Sequence, residues 1–189
     1  MVPIDLTGKN GVILGVANDR SIAWAIAETL AQAGARLALT YQNDRVKDRV
    51  ARLGDSLEGS LLLPCDATDD KQITDMFQQV EQSFGEISFL VHSIAFANRE
   101  DLAQPFFDTG REGFKLALEV SAYSLIPLVK HAAPLMKDGG SVVTMTFQAS
   151  QKVYPGYNVM GTAKAALEHE IRQLAYEFGE QNIRLNAIS

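Results

Sequence analysis

The chain has 189 residues, of which 47% are hydrophobic and 21% charged, and this balance predicts one globular domain with a sizeable core. The formal net charge of −6 at pH 7 argues against a nucleic-acid partner. Because Cys65 is the only cysteine and no apolar run reaches 18 residues, the sequence excludes an internal disulfide and favours a cytoplasmic chain without a metal site or membrane contact.

Short apolar runs alternate with longer amphipathic segments along the chain. The apolar runs are typical of buried strands, which we predict at 11–15, 35–41, 60–66, 87–96, 140–147 and 182–189. The amphipathic segments predict helices at 21–34, 43–54, 70–85, 111–136 and 158–179. Six strands separated by helices imply a parallel sheet covered on both faces. The predicted fold is therefore α/β, a doubly wound, Rossmann-like parallel sheet in three layers (α/β/α), with residues 1–189 forming a single domain.

The turn after the first predicted strand is a candidate phosphate site, because ligands of such sheets bind at the carboxyl ends of the strands. Only Gly15 of the G-x-G-x-x-G fingerprint is present. Small residues there would still allow a pyrophosphate close to the backbone. The helix start at Ser21 and Ile22 would add free N–H groups and partial positive charge. The alternative is an ordinary βα turn in which Ser21 caps the helix.

The residues after the next two strands suggest which dinucleotide would bind. Gln42 stands where an acidic residue often holds the ribose diol, and a neutral amide can also hydrogen-bond a ribose hydroxyl. Arg45 could instead accept a 2′-phosphate, but we favour NADH over NADPH. Asp66, followed by Ala67, could accept a hydrogen bond from the adenine amino group, or only cap the next segment.

Two further positions lie toward the carboxyl end of the fourth predicted strand. Ser93 and Ile94 lie where a cofactor would pass over the edge of the sheet. His92 directly precedes them, and we interpret it as a packed, neutral strand residue rather than a ligand.

Tyr157 and Lys164 stand seven positions apart, at the start of the last predicted helix. Seven steps of about 100° return a side chain to nearly the same face, roughly 10 Å further along the axis. A phenol and an ammonium on a shared face could both address one bound molecule. They could equally be two unrelated surface residues.

Several segments together resemble the short-chain dehydrogenase/reductase superfamily, and more narrowly its NADH-dependent enoyl-[acyl-carrier-protein] reductase branch. The resemblance runs the whole length and is carried by the segments GVANDRSIAW (15–24), TYQNDR (40–45), VHSIAFA (91–97), SAYSL (121–125), YNVMGTAKAALE (157–168) and RLNAIS (184–189). It implies that trans-2-enoyl thioesters on acyl carrier protein are reduced with NADH, in the last step of the type II fatty-acid elongation cycle. It also implies that Tyr157 stabilises charge on the thioester oxygen and that Lys164 holds the nicotinamide ribose. Ala97, Phe147 and Tyr157 are the implied substrate-pocket residues.

Three positions depart from the carbonyl-reducing members of that superfamily, which space tyrosine and lysine four apart. Met160 is four residues before Lys164, Phe147 stands at the usual serine, and Ser121 stands at the usual asparagine. These differences argue against a carbonyl reductase of the same superfamily. Many bacterial enoyl reductases carry a second tyrosine at this position. Phe147 therefore removes one hydroxyl from the pocket.

The resemblance also bears on assembly and completeness. It implies a homotetramer in which the predicted helices 111–136 and 158–179 pack against symmetry mates. It further implies that the family's substrate-covering helices and seventh strand are missing after Ser189. A nucleotide-binding scaffold without catalysis remains the alternative from another class of protein.

Overall fold

The computed structural model describes residues 4–189, which form one six-stranded, wholly parallel sheet. The predicted domain also included residues 1–3, which lie outside the described residues. The strand order is β3-β2-β1-β4-β5-β6, so the order reverses between β1 and β4. The strands are β1 (Asn10–Leu14), β2 (Arg36–Tyr41), β3 (Leu61–Pro64), β4 (Phe89–His92), β5 (Gly140–Met145) and β6 (Ile183–Ile188). The predicted doubly wound parallel sheet is confirmed.

Helices cover both faces of this sheet. They are α1 (Ile22–Gln32), α2 (Asp44–Gly54), α3 (Asp70–Phe84), α4 (Arg99–Ala103), α5 (Arg111–Leu118), α6 (Leu125–Ala132) and α7 (Asn158–Phe178). No helix within residues 4–189 is long and apolar enough to cross a membrane.

The alternation of side chains along the strands divides the core into two layers. Ile13 points to one face, where it packs with Trp24 and Ala27 of α1 and with Val50 of α2. Val12 and Leu14 belong to the other layer, whose helical residues come from α3, α6 and α7. The three-layer α/β/α arrangement therefore follows from apolar residues on both faces of the central strands.

The predicted helix 111–136 is wrong in one respect, because a π turn at Glu119–Tyr123 divides it into α5 and α6. The backbone N–H of Ser124 donates to the carbonyl of Glu119 at 3.0 Å, which is an i→i+5 bond. The Ser124 hydroxyl donates to the carbonyl of Val120 at 2.8 Å. The side chain thus satisfies a carbonyl that a regular helix would pair with the Ser124 N–H.

The region after β4 also differs from the prediction. The strand ends at His92 rather than at residue 96, because β1 and β5 pair with it only as far as that residue. The chain then leaves the sheet, and the short helix α4, which the sequence did not predict, follows at Arg99–Ala103.

Candidate active site

Gly15 and Ser93 meet at the point where the strand order reverses. Gly15 follows β1 with a φ of +101°, and Ser93 follows β4 and donates its N–H to the carbonyl of Leu14 at 3.2 Å. A Cβ built on Gly15 would lie 2.0 Å from the carbonyl oxygen of Ser93. Both the backbone angle and the close approach therefore require glycine at this turn.

The N-terminus of α1 faces this turn without a side-chain cap. Ser21 occupies the N-cap position, as predicted, but its hydroxyl donates to the carbonyl of Asn18 at 2.6 Å instead of accepting from the helix. The predicted N-cap position is thus confirmed, whereas the side chain of Ser21 does not cap the helix. Ile22, the first helical residue, is exposed. The first turn thus keeps the partial positive charge that attracts a phosphate group.

Gln42 and Asp66 come together at the ends of β2 and β3. The Gln42 amide donates to the Asp66 carboxylate at 3.3 Å. The other carboxylate oxygen of Asp66 accepts from the N–H and the hydroxyl of Thr68, at 3.0 and 2.8 Å. Asp66 therefore does cap its own turn, the alternative named for it above. Ala67 is buried beside it, and Arg45 is exposed in the first turn of α2.

His92 is a packed, neutral residue, as predicted. It is fully buried, and burial is the main reason that its pKa falls to about 3. Its Nδ1 lies 2.8 Å from the Thr144 hydroxyl and its Nε2 lies 2.9 Å from the Ser124 hydroxyl. Because the Ser124 proton goes to the carbonyl of Val120, we assign Nε2 as the donor and Nδ1 as the acceptor. His92 thus ties β4 and β5 to the π turn.

Lys164 lies in the second turn of α7 and is only 4% exposed. Its ammonium donates to the carbonyl of Met145, the last residue of β5, at 2.7 Å. Met145 is the only hydrogen-bond partner of this ammonium within residues 4–189. Burial lowers the pKa of Lys164 to about 8. Two of its three protons are available to acceptors of a ligand.

Tyr157 stands immediately before α7, at its N-cap, and not within the helix. The predicted start of this helix at residue 158 is confirmed, so Lys164 lies within the helix and Tyr157 just outside it, and the two do not share a face of one helix. The reason is local, because the chain enters α7 through a tight turn in which Gly156 has a φ of +80° and Tyr157 N–H donates to the carbonyl of Tyr154. Tyr157 is half-buried, and burial raises the pKa of its phenol.

The candidate substrate-pocket residues surround Tyr157. The rings of Phe147 and Tyr157 meet edge to face, with centroids 5.0 Å apart. Ala97 and Tyr157 pack against the same buried cluster, which includes Val159 and Met160. The turn before α7 thus brings together residues that are 60 positions apart.

Tyr154 also belongs to this aromatic group, although no sequence pattern singled it out as a site residue. Its ring lies 4.8 Å from Phe147, and its hydroxyl donates to the Gln148 side chain. The one available signal was a second phenol three residues before Tyr157. Tyr154 and Tyr157 also line a cleft of about 530 Å³ beside the start of α7.

Ser121 and Met160, two of the positions that depart from carbonyl reductases, are neighbours. The Ser121 hydroxyl lies 3.6 Å from the Met160 sulfur. It also accepts from the N–H of Phe96 at 3.0 Å and lies 3.2 Å from the Phe96 carbonyl. Ser121 therefore holds the loop after β4 and has no contact that would suit an acid or base.

These features share one edge of the sheet, the carboxyl ends of the strands, and they suit a dinucleotide. The turn at Gly15 admits close backbone approach, the first turn of α1 is open to a phosphate, and the buried Lys164 has no counter-ion among the described residues. No group of three His, Cys, Asp or Glu side chains within residues 4–189 could hold a metal ion. The fold and the site define a dinucleotide-dependent oxidoreductase of the short-chain type.

Comparison with known proteins gives the family. The family model described as enoyl-(acyl carrier protein) reductase matches residues 15–189. The enoyl-[acyl-carrier-protein] reductase [NADH] FabI of Bacillus cereus is 48% identical over 186 residues, which cover 97% of this chain and 73% of that protein. The corresponding protein of Nostoc sp. is 47% identical over 189 residues, covering 98% and 73%. The chain belongs to the enoyl-(acyl carrier protein) reductase family.

Solved structures agree with this assignment. The B. cereus enoyl-acyl carrier protein reductase with NADP+ and indole naphthyridinone superposes with a TM-score of 0.95 at 48% identity, covering 97% of this chain and 72% of that one. The Anaplasma phagocytophilum reductase in complex with NAD gives a TM-score of 0.95 at 42% identity, covering 97% and 71%. Both nicotinamide cofactors therefore occur in similar structures.

Proposed function

We propose that this protein reduces trans-2-enoyl-[acyl-carrier-protein] thioesters to acyl thioesters with NADH, the last step of the type II fatty-acid elongation cycle. The observation that carries the proposal is the position of a half-buried phenol, Tyr157, and a buried ammonium, Lys164, beyond the end of the same strand, β5. Family membership and the NADH-dependent relatives support it.

Tyr157 is suited to act on the substrate carbonyl. When NADH is bound, it supplies the hydride that adds to the β-carbon of the enoyl thioester. Negative charge then develops on the thioester oxygen as an enolate, and a donor placed at that oxygen stabilises the charge. Uptake of one proton from solvent at the α-carbon then gives the acyl thioester. Because burial raises the pKa of Tyr157, the phenol keeps its proton at neutral pH and remains a donor. No hydrogen-bond acceptor among residues 4–189 already takes this proton.

Lys164 is suited to hold the cofactor. Its ammonium is fixed by the Met145 carbonyl, and its two other protons can be donated to ribose hydroxyls. At neutral pH the group is charged, since its pKa is about 8. We propose that Gly15, Ser21, Ile22, Gln42, Asp66, Ala67, Ser93 and Ile94 form the rest of the cofactor site.

The proposed cofactor preference is NADH over NADPH. Gln42 is neutral, and its amide is already directed to Asp66, whose carboxylate would repel a 2′-phosphate placed nearby. Arg45 is the one feature that favours the phosphate, and it is exposed.

A substrate comparison separates this proposal from its alternatives. We expect crotonyl and dodecenoyl thioesters to be reduced with NADH, and acetoacetyl thioester to be left unchanged, because Met160 and Phe147 cannot supply the proton that a ketone needs. Oxidation of NADH and of NADPH, followed at 340 nm with each thioester, is the measurement. Faster reduction of acetoacetyl thioester would indicate a carbonyl reductase. Tight NADH binding without any turnover would indicate a nucleotide-binding scaffold.

We also propose a homotetramer, in which α5, α6 and α7 pack against other copies of the chain. Large hydrophobic side chains are exposed on these helices and on the π turn, namely Phe114, Tyr123, Ile126 and Tyr176. Light scattering should give a mass four times that of the chain, and a monomeric mass would contradict the assembly. The single dinucleotide-binding domain over 1–189 and the cytoplasmic location stay predictions.

A further inference from the structure

The backbone position of Tyr157 depends on a short, exposed turn. Tyr157 N–H donates to the carbonyl of Tyr154, while Pro155 and Gly156 at the tip of the turn are exposed. The phenol itself makes no hydrogen bond to any residue of the part of the chain that the structure describes. The ring packs against Phe147, but the backbone that carries the ring needs a further contact beyond this exposed turn.

The next residue, Asn158, supplies that contact. Its side-chain amide donates to the carbonyls of Leu102 and Gln104, at 3.1 and 2.5 Å. These carbonyls lie at the C-terminal end of α4, where helical carbonyls lack partners within the helix. Asn158 thus donates both of its amide protons, and each proton pairs with a backbone carbonyl that α4 itself leaves unpaired.

The conformation of Asn158 shows that this contact has a cost. Its φ is +29°, and within residues 4–189 only Asn182 shares a positive φ among residues other than glycine. A left-handed conformation is unfavourable for a residue with a Cβ and persists when the surrounding contacts impose it. The two hydrogen bonds to the end of α4 are those contacts.

The end of α4 is itself anchored. The Asp101 carboxylate is buried and accepts from the side-chain amides of Asn98 and Gln104, at 3.0 and 3.3 Å. The Asp101 carboxylate packs closely against Gly113 of α5, where an added Cβ would lie 2.1 Å from a carboxylate oxygen. Asn158 therefore bonds to a rigid segment, and the rigidity is passed to Tyr157.

We propose that Asn158 is a positioning residue for Tyr157. Its amide connects the turn that carries the phenol to the segment that carries Leu102, which packs against the same buried cluster as Tyr157 and Ala97. The role in turnover rests on the proposed enoyl reductase function. The structural claim, that Asn158 fixes the position of Tyr157, does not depend on that function.

Two substitutions test the proposal. Asn158→Asp keeps the shape of the side chain but has no protons to donate, and Asn158→Gly removes both hydrogen bonds while relieving the positive φ. Because a displaced donor stabilises the developing charge poorly, we expect kcat with crotonyl thioester to fall about 10-fold or more in both. The KM for NADH should change less than about 2-fold, since Gly15 and Lys164 are untouched.

Asn182 offers the matched control. It has a φ of +57° in the turn before β6, at the opposite end of the sheet from the site. Asn182→Asp and Asn182→Gly should leave kcat and both KM values unchanged, whatever they do to the melting temperature. Equal losses of kcat in the Asn158 and Asn182 pairs would mean that the effect is general destabilisation, and would overturn the proposal.

A measurement that does not depend on turnover tests the positioning of Tyr157 separately from the proposed enoyl reductase function. The protein contains five tyrosines, which can be labelled with ¹³C at Cζ and titrated by NMR, with the Tyr157 signal assigned by its loss in Tyr157→Phe. In the wild type the Tyr157 pKa lies above its ordinary value of 10.0 because the ring is partly buried. In Asn158→Gly the freed phenol should titrate closer to 10, whereas Asn182→Gly should leave the Tyr157 pKa raised.

If the wild type lacks enoyl turnover but this shift of the Tyr157 pKa occurs, only the proposed function fails. An unaltered Tyr157 titration in Asn158→Gly overturns the positioning role.

Discussion

Tyr157→Phe is expected to lower the turnover of an enoyl thioester about 10²-fold or more, the usual effect of removing a donor to a developing oxyanion. The ring is retained, so its edge-to-face contact with Phe147 and its packing near Met160 remain. The loss should therefore fall on kcat, and the affinity for NADH should be nearly unaltered. Steady-state kinetics with crotonyl and dodecenoyl thioesters, together with NADH titration by fluorescence, measure the two quantities separately.

Tyr154→Phe is the matched control for this substitution. Tyr154 also contacts Phe147 and also carries a phenol near the turn, but its hydroxyl is already bonded to Gln148. We expect turnover within about 3-fold of the wild type, because a phenol whose proton is already donated to Gln148 has no proton free for the thioester oxygen. A large loss in Tyr154→Phe with little change in Tyr157→Phe would exchange the roles of the two tyrosines.

Lys164→Met is expected to weaken NADH binding about 10- to 10²-fold and at the same time to stabilise the protein without cofactor. The affinity falls because hydrogen bonds from a charged donor are lost. The stability rises because Lys164 is buried with no counter-ion in the part of the chain that the structure describes, and lowering its pKa from 10.5 to about 8 corresponds to about 3 kcal/mol of unfavourable burial. Methionine has a similar length and fills the space without charge. The Met145 carbonyl that is left unpaired costs about 1–3 kcal/mol, so the net stabilisation expected at neutral pH is about 2 kcal/mol or less.

The pH dependence gives this prediction a definite sign. Between pH 8 and 10.5 the folded wild type has lost the Lys164 proton while the unfolded chain still binds it, so wild-type stability rises with pH in this range. The stability advantage of Lys164→Met is therefore complete below about pH 8 and disappears as the pH approaches 10.5. Urea denaturation of both proteins at pH 7, 8, 9 and 10 measures it. Lys137→Met, at an exposed lysine, is the control for losing one positive charge. An advantage that stays constant across this range, or an unchanged affinity for NADH, would contradict the assigned environment.

The sheet could be predicted from the sequence because its signals are local and repeated. Each central strand is an unbroken apolar run, and each run is followed by an amphipathic segment, which is the pattern of a parallel sheet covered on both faces. The carboxyl ends of parallel strands lie at one edge of the sheet, where ligands of such sheets bind. This placed Gly15, Gln42, Asp66 and Ser93 at one edge, and the structure has them there.

The parts that could not be predicted depend on contacts between distant segments. The start of α7 at residue 158 was predicted, but the bonds of Asn158 to α4 were not, because α4 itself was not recognised. Periodicity places residues within a helix, but it does not show which distant segment the first residues of that helix contact. Ser21 shows the same limit, because its N-cap position was predicted while the direction of its hydroxyl was not.

The π turn at Glu119–Tyr123 changes how the surface of the following helix must be mapped. One additional residue per turn rotates everything after it by about 100° relative to a regular helix. A helical wheel drawn continuously from Arg111 would therefore assign Leu125, Leu128 and Val129 to the wrong side, although all three are fully buried. The additional residue of the π turn also explains why residues 111–136 are apolar on nearly every side when they are plotted as one continuous helix. The apolar stripes of α5 and α6 are out of phase, and such a plot superimposes them.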